Sequence, residues 1–227
     1  MTRPSDARTQ NPPSDRACPH SHRKAGVSKL HPWVAAAATG VLPDWAVVRK
    51  KRRAHMARVA ELLREWGEAR GDHRRDVERW CAVGYLHDVL RDADPDDLRA
   101  ELSSPWDQLP DEVIHGPAAA DRLRRGGVRD EPLLTAVACH TLGSPDFDDI
   151  GKALYVADFL EPGRQLQPKW RARLRKEMPE GLDTVAKAVV GKRIQFLIKK
   201  GRPVPLETLG LWNRLAKGRL WASASEV

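Results

Sequence analysis

The stretch WCAVGYLHDVL, residues 80–90, decides the fold of this chain. Drawn as a helix it is apolar on every side, which is typical of a helix buried at the centre of a protein. His87 and Asp88 nevertheless lie side by side within it. On such a helix their side chains project about 100° apart, so the pair can reach one metal ion, or the aspartate can bridge two. A buried carboxylate requires a compensating charge, and this stretch therefore predicts a buried ionic site.

The sequence around this stretch predicts further helices. From residue 50 onward, Pro occurs at first-turn positions and Gly at helix ends, and no sustained period-2 alternation indicates a sheet. The predicted helices cover residues 51–66 (ended by Gly67 and Gly71), 80–90, a short one capped by Asp94, 117–125, one from Pro132 to an end at Gly143, 147–160, 182–199 and a last one containing Trp212 and Trp221. The predicted fold class is all-α.

The first 30 residues differ in composition from the rest. They are rich in Pro, Ser, Arg and Asp and contain almost no large apolar side chain, which predicts a disordered basic tail. Cys18, His20 and His22 have metal-ligand chemistry but lack a fourth ligand, so we interpret them as a chance grouping. Residues 31–227 are predicted to form one domain, with a core at about 48–200 and an added C-terminal helix.

Composition limits the classes of function. The chain has 227 residues, and no apolar run approaches the roughly 20 residues of a bilayer-spanning helix, so no membrane partner is expected. Its three cysteines are far apart, which excludes a disulfide framework and favours a reducing compartment, here the cytoplasm. The net charge of +8 favours a polyanionic partner. RKKRR at residues 49–53 allows nucleic acid, but it can also attract a polyphosphate to nearby His55, and nucleic acid is the less favoured interpretation.

Six ionisable residues lie at apolar or helix-terminal positions, spread over five separate helical segments. They are His55, His87, Asp88, His115, His140 and Asp158. A lone buried histidine is usually structural, but two buried carboxylates with four histidines are hard to explain without cations. Imidazole and carboxylate together suit iron, zinc or manganese better than calcium or magnesium. A cation with an open coordination position would lower the pKa of a bound water toward neutrality, so this set predicts metal-assisted hydrolysis.

The order H…HD…H…H…D resembles that of HD-domain metallohydrolases. HGPAAA at residues 115–120, CHTLG at 139–143 and YVADFLEPGR at 155–164 bring the chain closer to one branch of them. That branch is the symmetrical bis(5'-nucleosyl)-tetraphosphatases, the bacterial hydrolases of diadenosine tetraphosphate. The resemblance covers roughly residues 48–213 and implies an HD-domain helical bundle.

The resemblance also implies roles for individual residues. One metal, commonly iron in this branch, would be held by His55, His87, Asp88 and Asp158. His115 and His140 would hold a second metal or the phosphate itself and, with Asp88, take part in the reaction. The residues implied to contact the nucleotide are Arg52, Arg91, Thr141, Arg164 and Thr208. Two positions depart from the family pattern, because Arg91 replaces a lysine and Leu142 replaces a second threonine.

The resulting hypothesis is an iron-dependent or similar divalent-metal hydrolase, with one or two ions, that cleaves diadenosine tetraphosphate into two ADP. The symmetry of cleavage is implied by the resemblance alone. An HD-type phosphatase or phosphodiesterase acting on a mononucleotide is the alternative enzyme. A non-catalytic nucleic-acid-binding protein with a vestigial HD site is the alternative from another class. The sequence leaves the assembly state open, with a homodimer as one option.

Overall fold

The computed structural model describes residues 29–216, which form ten α-helices and no β-strand. The predicted all-α fold is confirmed over that range. Residues 1–28 of the predicted tail, with Cys18, His20 and His22, lie outside the described residues, as does Trp221. Within the described range no helix is both long enough and apolar enough to cross a bilayer.

The helices follow one another with short connections. They are α1 (Pro32–Ala38), α2 (Lys50–Ala69), α3 (Arg74–Leu86), α4 (Pro95–Glu101), α5 (His115–Arg125), α6 (Glu131–Cys139), α7 (Asp149–Leu160), α8 (Pro168–Lys176), α9 (Leu182–Lys199) and α10 (Leu206–Ala216). A 3₁₀ turn, Trp106–Gln108, lies between α4 and α5. A single cluster of buried apolar side chains extends from Val34 in α1 to Leu215 in α10. The division of the chain at residues 30 and 31 stays a prediction.

Local sequence accounts for several helix starts. Asp94 accepts a hydrogen bond from the backbone N–H of Asp96 at the start of α4, as the sequence predicts. Asp130 accepts one from Leu133 at the start of α6, and Asp148 accepts one from Gly151 at the start of α7. Each cap satisfies a backbone N–H that has no partner inside its helix.

Helices α2 and α3 pack together at the centre of the fold. The predicted stripe of α2, which includes His55, Val59, Leu62 and Trp66, is buried. Where Gly84 faces α2, an added Cβ would lie only 2.6 Å from Cα of Ala60. Glycine therefore permits a spacing between α2 and α3 that any larger residue would prevent. Helix α7 contacts α2, α3, α6 and α9, and α10 packs on α9.

The structure corrects several predicted boundaries. Helix α2 continues through Gly67, which packs against Val77, and ends at Ala69 before Gly71 adopts a positive φ of 72°. Helix α3 ends at Leu86, so the predicted helix to residue 90 was wrong. His87 is the C-cap of α3 and Asp88 lies in the turn that follows, and the 100° separation expected on a continuous helix does not apply.

Three further differences concern helix boundaries near the ionisable residues, and two helices are additional. His115 lies in the first turn of α5 and not before it. Helix α6 ends at Cys139, with His140 as its C-cap, and the chain turns before Gly143. Helix α7 begins at Asp149, two residues later than predicted, because Asp148 is its cap. Helices α1 and α8 were not predicted.

Candidate metal centre

Five segments of the fold bring the six predicted ionisable residues to one place. His55 comes from α2, His87 and Asp88 from the end of α3, His115 from the start of α5, His140 from the end of α6, and Asp158 from α7. All of them are buried except Asp158, whose side chain is 24% exposed. Helix ends and turns supply four of the six, because a residue at a helix end can turn its side chain toward a neighbouring helix.

Asp88 lies at the centre of this group. Its Oδ1 atom is 3.1 Å from Nε2 of His115 and 3.4 Å from Nε2 of His140. Its Oδ2 atom is 3.4 Å from Nε2 of His87 and 3.7 Å from Nε2 of His55. Each carboxylate oxygen therefore faces a different pair of histidines, so two groups of three ligands share this one aspartate.

The distances between these nitrogen and oxygen atoms suit coordination of a metal ion better than direct hydrogen bonds between the side chains. Nε2 of His55 and Nε2 of His87 are buried and have no hydrogen-bond partner. Nevertheless Oδ1 of Asp158 lies 3.0 Å from the first of these atoms and Oδ2 of Asp88 lies 3.4 Å from the second. Two donors that share a cation through bonds of about 2.1 Å are separated by roughly 3 to 3.5 Å. Such a set of nitrogen and oxygen donors suits iron, zinc or manganese.

The second ring nitrogen of each of three histidines fixes its orientation. Nδ1 of His87 donates to the carbonyl of Gly84 at 2.9 Å, and Nδ1 of His140 donates to the carbonyl of Val137 at 2.8 Å. With the proton on Nδ1, the lone pair of Nε2 faces the centre. Nδ1 of His55 faces a carboxylate oxygen of Glu161 at 3.3 Å, which favours the same tautomer.

Glu161 is a site residue that the sequence analysis missed. It is buried, and its Oε2 atom accepts hydrogen bonds from Nε of Arg58 at 2.6 Å and from the backbone N–H of Gly163 at 2.7 Å. A sequence signal was available, because a carboxylate three residues after Asp158 lies on the same face of a helix. The Pro162–Gly163 turn holds this carboxylate against α2.

The site holds its carboxylates ionised and one of its histidines neutral. Burial alone would raise the pKa of Asp88, but the charge of His87 and the contacts of the other histidines outweigh it and hold that pKa well below its usual range. Burial alone would likewise raise the pKa of Asp158, but His55, His87 and Arg164 together outweigh burial and lower that pKa. Burial lowers the pKa of His115 to about 4, so its lone pair is available at neutral pH.

Two of the predicted arginines pair with the carboxylates of the site. Nη1 of Arg52 donates to Oδ2 of Asp88 at 2.7 Å, and Nη2 of Arg164 donates to Oδ1 of Asp158 at 2.7 Å. Arg91 is half-buried, its side chain has no hydrogen-bond or ion-pair partner among residues 29–216, and its charge contributes to the low pKa of His115. Three cationic side chains thus surround the carboxylate groups.

The two predicted threonines occupy different positions. Oγ1 of Thr141 lies 3.2 Å from Nε2 of His140, at the edge of the ligand group. Thr208 is buried and donates its hydroxyl proton to the carbonyl of Leu142 at 2.7 Å, so it braces the turn after His140. A role for Thr208 in nucleotide contact stays a prediction.

Comparison with known proteins shows a sequence match to HD domains. The family model described as HD domain matches residues 52–163, a range that contains all six residues. A Halalkalibacterium halodurans protein named "Bis(5'-nucleosyl)-tetraphosphatase, symmetrical" is 29% identical over 146 residues, covering 62% of this chain and 77% of the relative. A Staphylococcus aureus protein of the same name is 28% identical over 170 residues, covering 72% of this chain and 86% of the relative.

A solved structure shares the fold. It is described as a predicted HD superfamily hydrolase involved in NAD metabolism from Clostridium acetobutylicum. The two structures superpose with a TM-score of 0.65 at 22% identity, covering 81% of this chain and 95% of the other. At that identity the likeness supports the architecture alone.

Proposed function

This chain belongs to the HD domain family of hydrolases, and we propose that it hydrolyses dinucleoside polyphosphates, cleaving diadenosine tetraphosphate symmetrically into two ADP. The observation that carries the proposal is Asp88, whose two oxygens each face a pair of histidines at 3.1 to 3.7 Å. The names of the relatives from H. halodurans and S. aureus support the choice of substrate.

We assign the ligand roles as the sequence predicts them. One divalent cation, which we propose to be iron, would be held by His55, His87, Asp88 and Asp158. His115 and His140, with Asp88, would hold a second cation or the phosphate itself. When bound, such a cation supplies an acidified water and polarises a phosphoryl oxygen.

The chain's own groups bind and orient the polyphosphate. Arg164 uses Nη2 and Nε on Asp158, but a guanidinium carries five N–H donors and this side chain is 44% exposed, so further donors remain for phosphate oxygens. The side chain of Arg91 forms no ion pair within residues 29–216, so its charge can act on a phosphate group. Positioned arginines neutralise the charge that develops on phosphate oxygens in the transition state. Thr141 would add a hydroxyl beside His140.

The contacts of the basic segment, residues 49–53, weaken the nucleic-acid alternative. Within residues 49–53, Arg52 pairs with Asp88, and Nη2 of Arg53 donates to the carbonyl of Gly40 at 2.8 Å. The charge of Arg52 therefore serves the site, whereas Arg53 stays exposed while it contacts the turn after α1. An assay that compares mononucleotides with diadenosine tetraphosphate as substrates distinguishes the alternative enzyme from the proposal. The cytoplasmic location and the homodimer stay predictions.

Chromatography of the reaction products tests the proposal. The purified, metal-loaded chain should convert diadenosine tetraphosphate to ADP alone at early times. Asp88→Ala should lose both turnover and metal content, because it removes a carboxylate shared by both ligand groups. Asp97→Ala, which removes an exposed carboxylate on α4, is the matched control and should keep both. ATP and AMP as products would contradict symmetric cleavage, and turnover of mononucleotides only would favour the alternative enzyme.

A further inference from the structure

A cavity of about 480 Å³ opens beside Asp158, between the end of α7, the start of α8 and one face of α9. This volume falls within the roughly 300 to 1,000 Å³ that is usual for ligand sites. Five basic side chains and one carboxylate line it: Arg164, Arg171, Lys192, Arg193, Lys199 and Asp158. Because Asp158 and Arg164 also belong to the candidate metal centre, the cavity is continuous with that centre. Its excess of positive charge favours an anion.

Arg171 is the strongest indication that the cavity binds an anion. It is 7% exposed, and its Nη1 atom is buried without a hydrogen-bond partner. Its Nε atom donates to the carbonyl of Leu166 at 2.6 Å, and the guanidinium lies 4.2 Å from the ring centroid of Phe159. Asp158 and Glu161 attract this charge from a distance, but no carboxylate within residues 29–216 forms an ion pair with it, and burial lowers the pKa of Arg171. A buried charge without a contacting counter-ion is costly. A phosphate group in the cavity would supply the counter-ion.

The α9 face of the cavity combines charge with apolar surface. Lys192, Phe196 and Lys199 follow the i, i+4, i+7 spacing of one helix face, which spans about 10 Å along the axis. Phe196 is 44% exposed, and Leu166 across the cavity is 70% exposed. Lysines can contact phosphates while an exposed aromatic ring stacks on a base, so the face suits a nucleotide better than a simple anion.

We propose that this cavity binds one nucleoside diphosphate half of the substrate while the phosphate that is attacked lies at the metal centre, an inference that rests on the proposed function. Arg171, Lys192 and Lys199 bind its phosphates, and Phe196 contacts its base. In the reaction the oxygen of water bonds to phosphorus and the bridging P–O bond breaks. Its electron pair stays on the ADP held in the cavity, and the two protons of water pass to solvent.

Charge variants test the phosphate part of the proposal. Lys199→Gln and Arg171→Gln are compared with Lys200→Gln and Arg173→Gln, which remove neighbouring charges that do not line the cavity. The metal-loaded wild type should bind two ADP per chain by calorimetry. Each cavity variant should weaken one of these sites about tenfold and raise KM for diadenosine tetraphosphate by a similar factor. kcat should change little, because the contact is made in ground state and transition state alike.

A second pair of variants tests the nucleoside part. Phe196→Ala should weaken the same ADP site by roughly fivefold or more and leave the binding of inorganic tripolyphosphate unchanged. Ile198→Ala removes an even more exposed apolar side chain of α9 that does not line the cavity, and it should leave the binding of both ligands unaffected. An equal effect of Phe196→Ala and Ile198→Ala on ADP would overturn the assignment of a base to this face.

The outcomes separate this inference from the proposed function. If the wild type does not hydrolyse diadenosine tetraphosphate, the proposed function is wrong. The number of ADP molecules bound per chain then still tests whether the cavity binds a nucleotide. If hydrolysis occurs but Lys199→Gln and Arg171→Gln match their controls in KM and stoichiometry, the cavity proposal alone is overturned. Arg171 is buried and its variant can lose stability, whereas Lys199 is exposed, so Lys199→Gln keeps the test decisive.

Discussion

Glu161 determines which nitrogen of His55 faces the other site residues. A carboxylate that accepts a hydrogen bond from one imidazole nitrogen fixes the tautomer and raises the basicity of the other nitrogen. Here the carboxylate is itself held by Arg58 and by the backbone of Gly163, so the orientation of His55 depends on a chain of contacts between α2 and the end of α7. The side chain of Glu161 thus acts through His55 and not on the substrate.

Glu161→Gln is expected to weaken metal binding about tenfold to a hundredfold, because an uncharged amide loses the orienting charge and the pair with Arg58. Competition with a chelator of known affinity measures the change. Glu65→Gln removes an exposed carboxylate from α2 and serves as the control. Unchanged affinity in Glu161→Gln would show that His55 is oriented without it.

At this scale the sequence predicted which residues meet but not how they are held. The types and positions of His55, His87, Asp88, His115, His140 and Asp158 suffice to predict a common site, since isolated buried charges are too costly to explain otherwise. Glu161 was missed because a single glutamate near a Pro-Gly turn looks like an exposed helix end. Only the packing of α7 against α2 buries it.

Helix ends were the weakest part of the prediction at the scale of elements. The apolar run of residues 80–90 contains no breaker, yet α3 stops at Leu86 because backbone carbonyls near its end accept from the ring of His87 and from the following turn. Helix α9, by contrast, has the predicted bounds, since Gly181 and Gly201 mark both ends. Side chains that compete for backbone groups are invisible to hydrophobic periodicity.

Gly84→Ala tests whether the spacing of α2 and α3 sets the geometry of the site. The added methyl would lie 2.6 Å from Cα and 2.8 Å from N of Ala60, so backbone must move and the helices that carry His55 and His87 must separate. We expect a loss of about 1 to 3 kcal/mol in the free energy of unfolding together with weaker metal binding.

Thermal unfolding and metal titration of Gly84→Ala measure the two effects. Gly67→Ala is the matched control, because it lies in the same helix pair and its methyl would meet Cγ2 of Val77 at 3.3 Å and the backbone of Val77 no closer than 3.6 Å. That control should keep its metal affinity. Equal metal affinity in the two variants would mean that the site tolerates a change in helix spacing.

For the whole molecule, the buried histidines make stability depend on pH in two opposite directions. Burial lowers the pKa of His115 to about 4 from an ordinary 6.5, so the unfolded chain binds more protons between these values and stability falls as the pH falls through them. Burial alone would lower the pKa of His87, but the charge of Asp88 and the contacts of His87 outweigh burial and raise that pKa. Its contribution is present below pH 6.5 and is lost as the pH rises through its raised folded pKa.

The metal-free protein should therefore be most stable near pH 6.5. The His115 contribution amounts to about 3 kcal/mol, lost between pH 6.5 and 4, and the low pKa values of Asp88 and Asp158 extend the loss below pH 4. Urea unfolding of the chelated protein at several pH values measures the profile. His115→Gln should flatten it between pH 4 and 6.5 and leave the acid limb, because glutamine does not titrate. A wild-type profile that is flat over this window, or a variant with the same slope as the wild type, would contradict the burial of a neutral His115 beside Asp88.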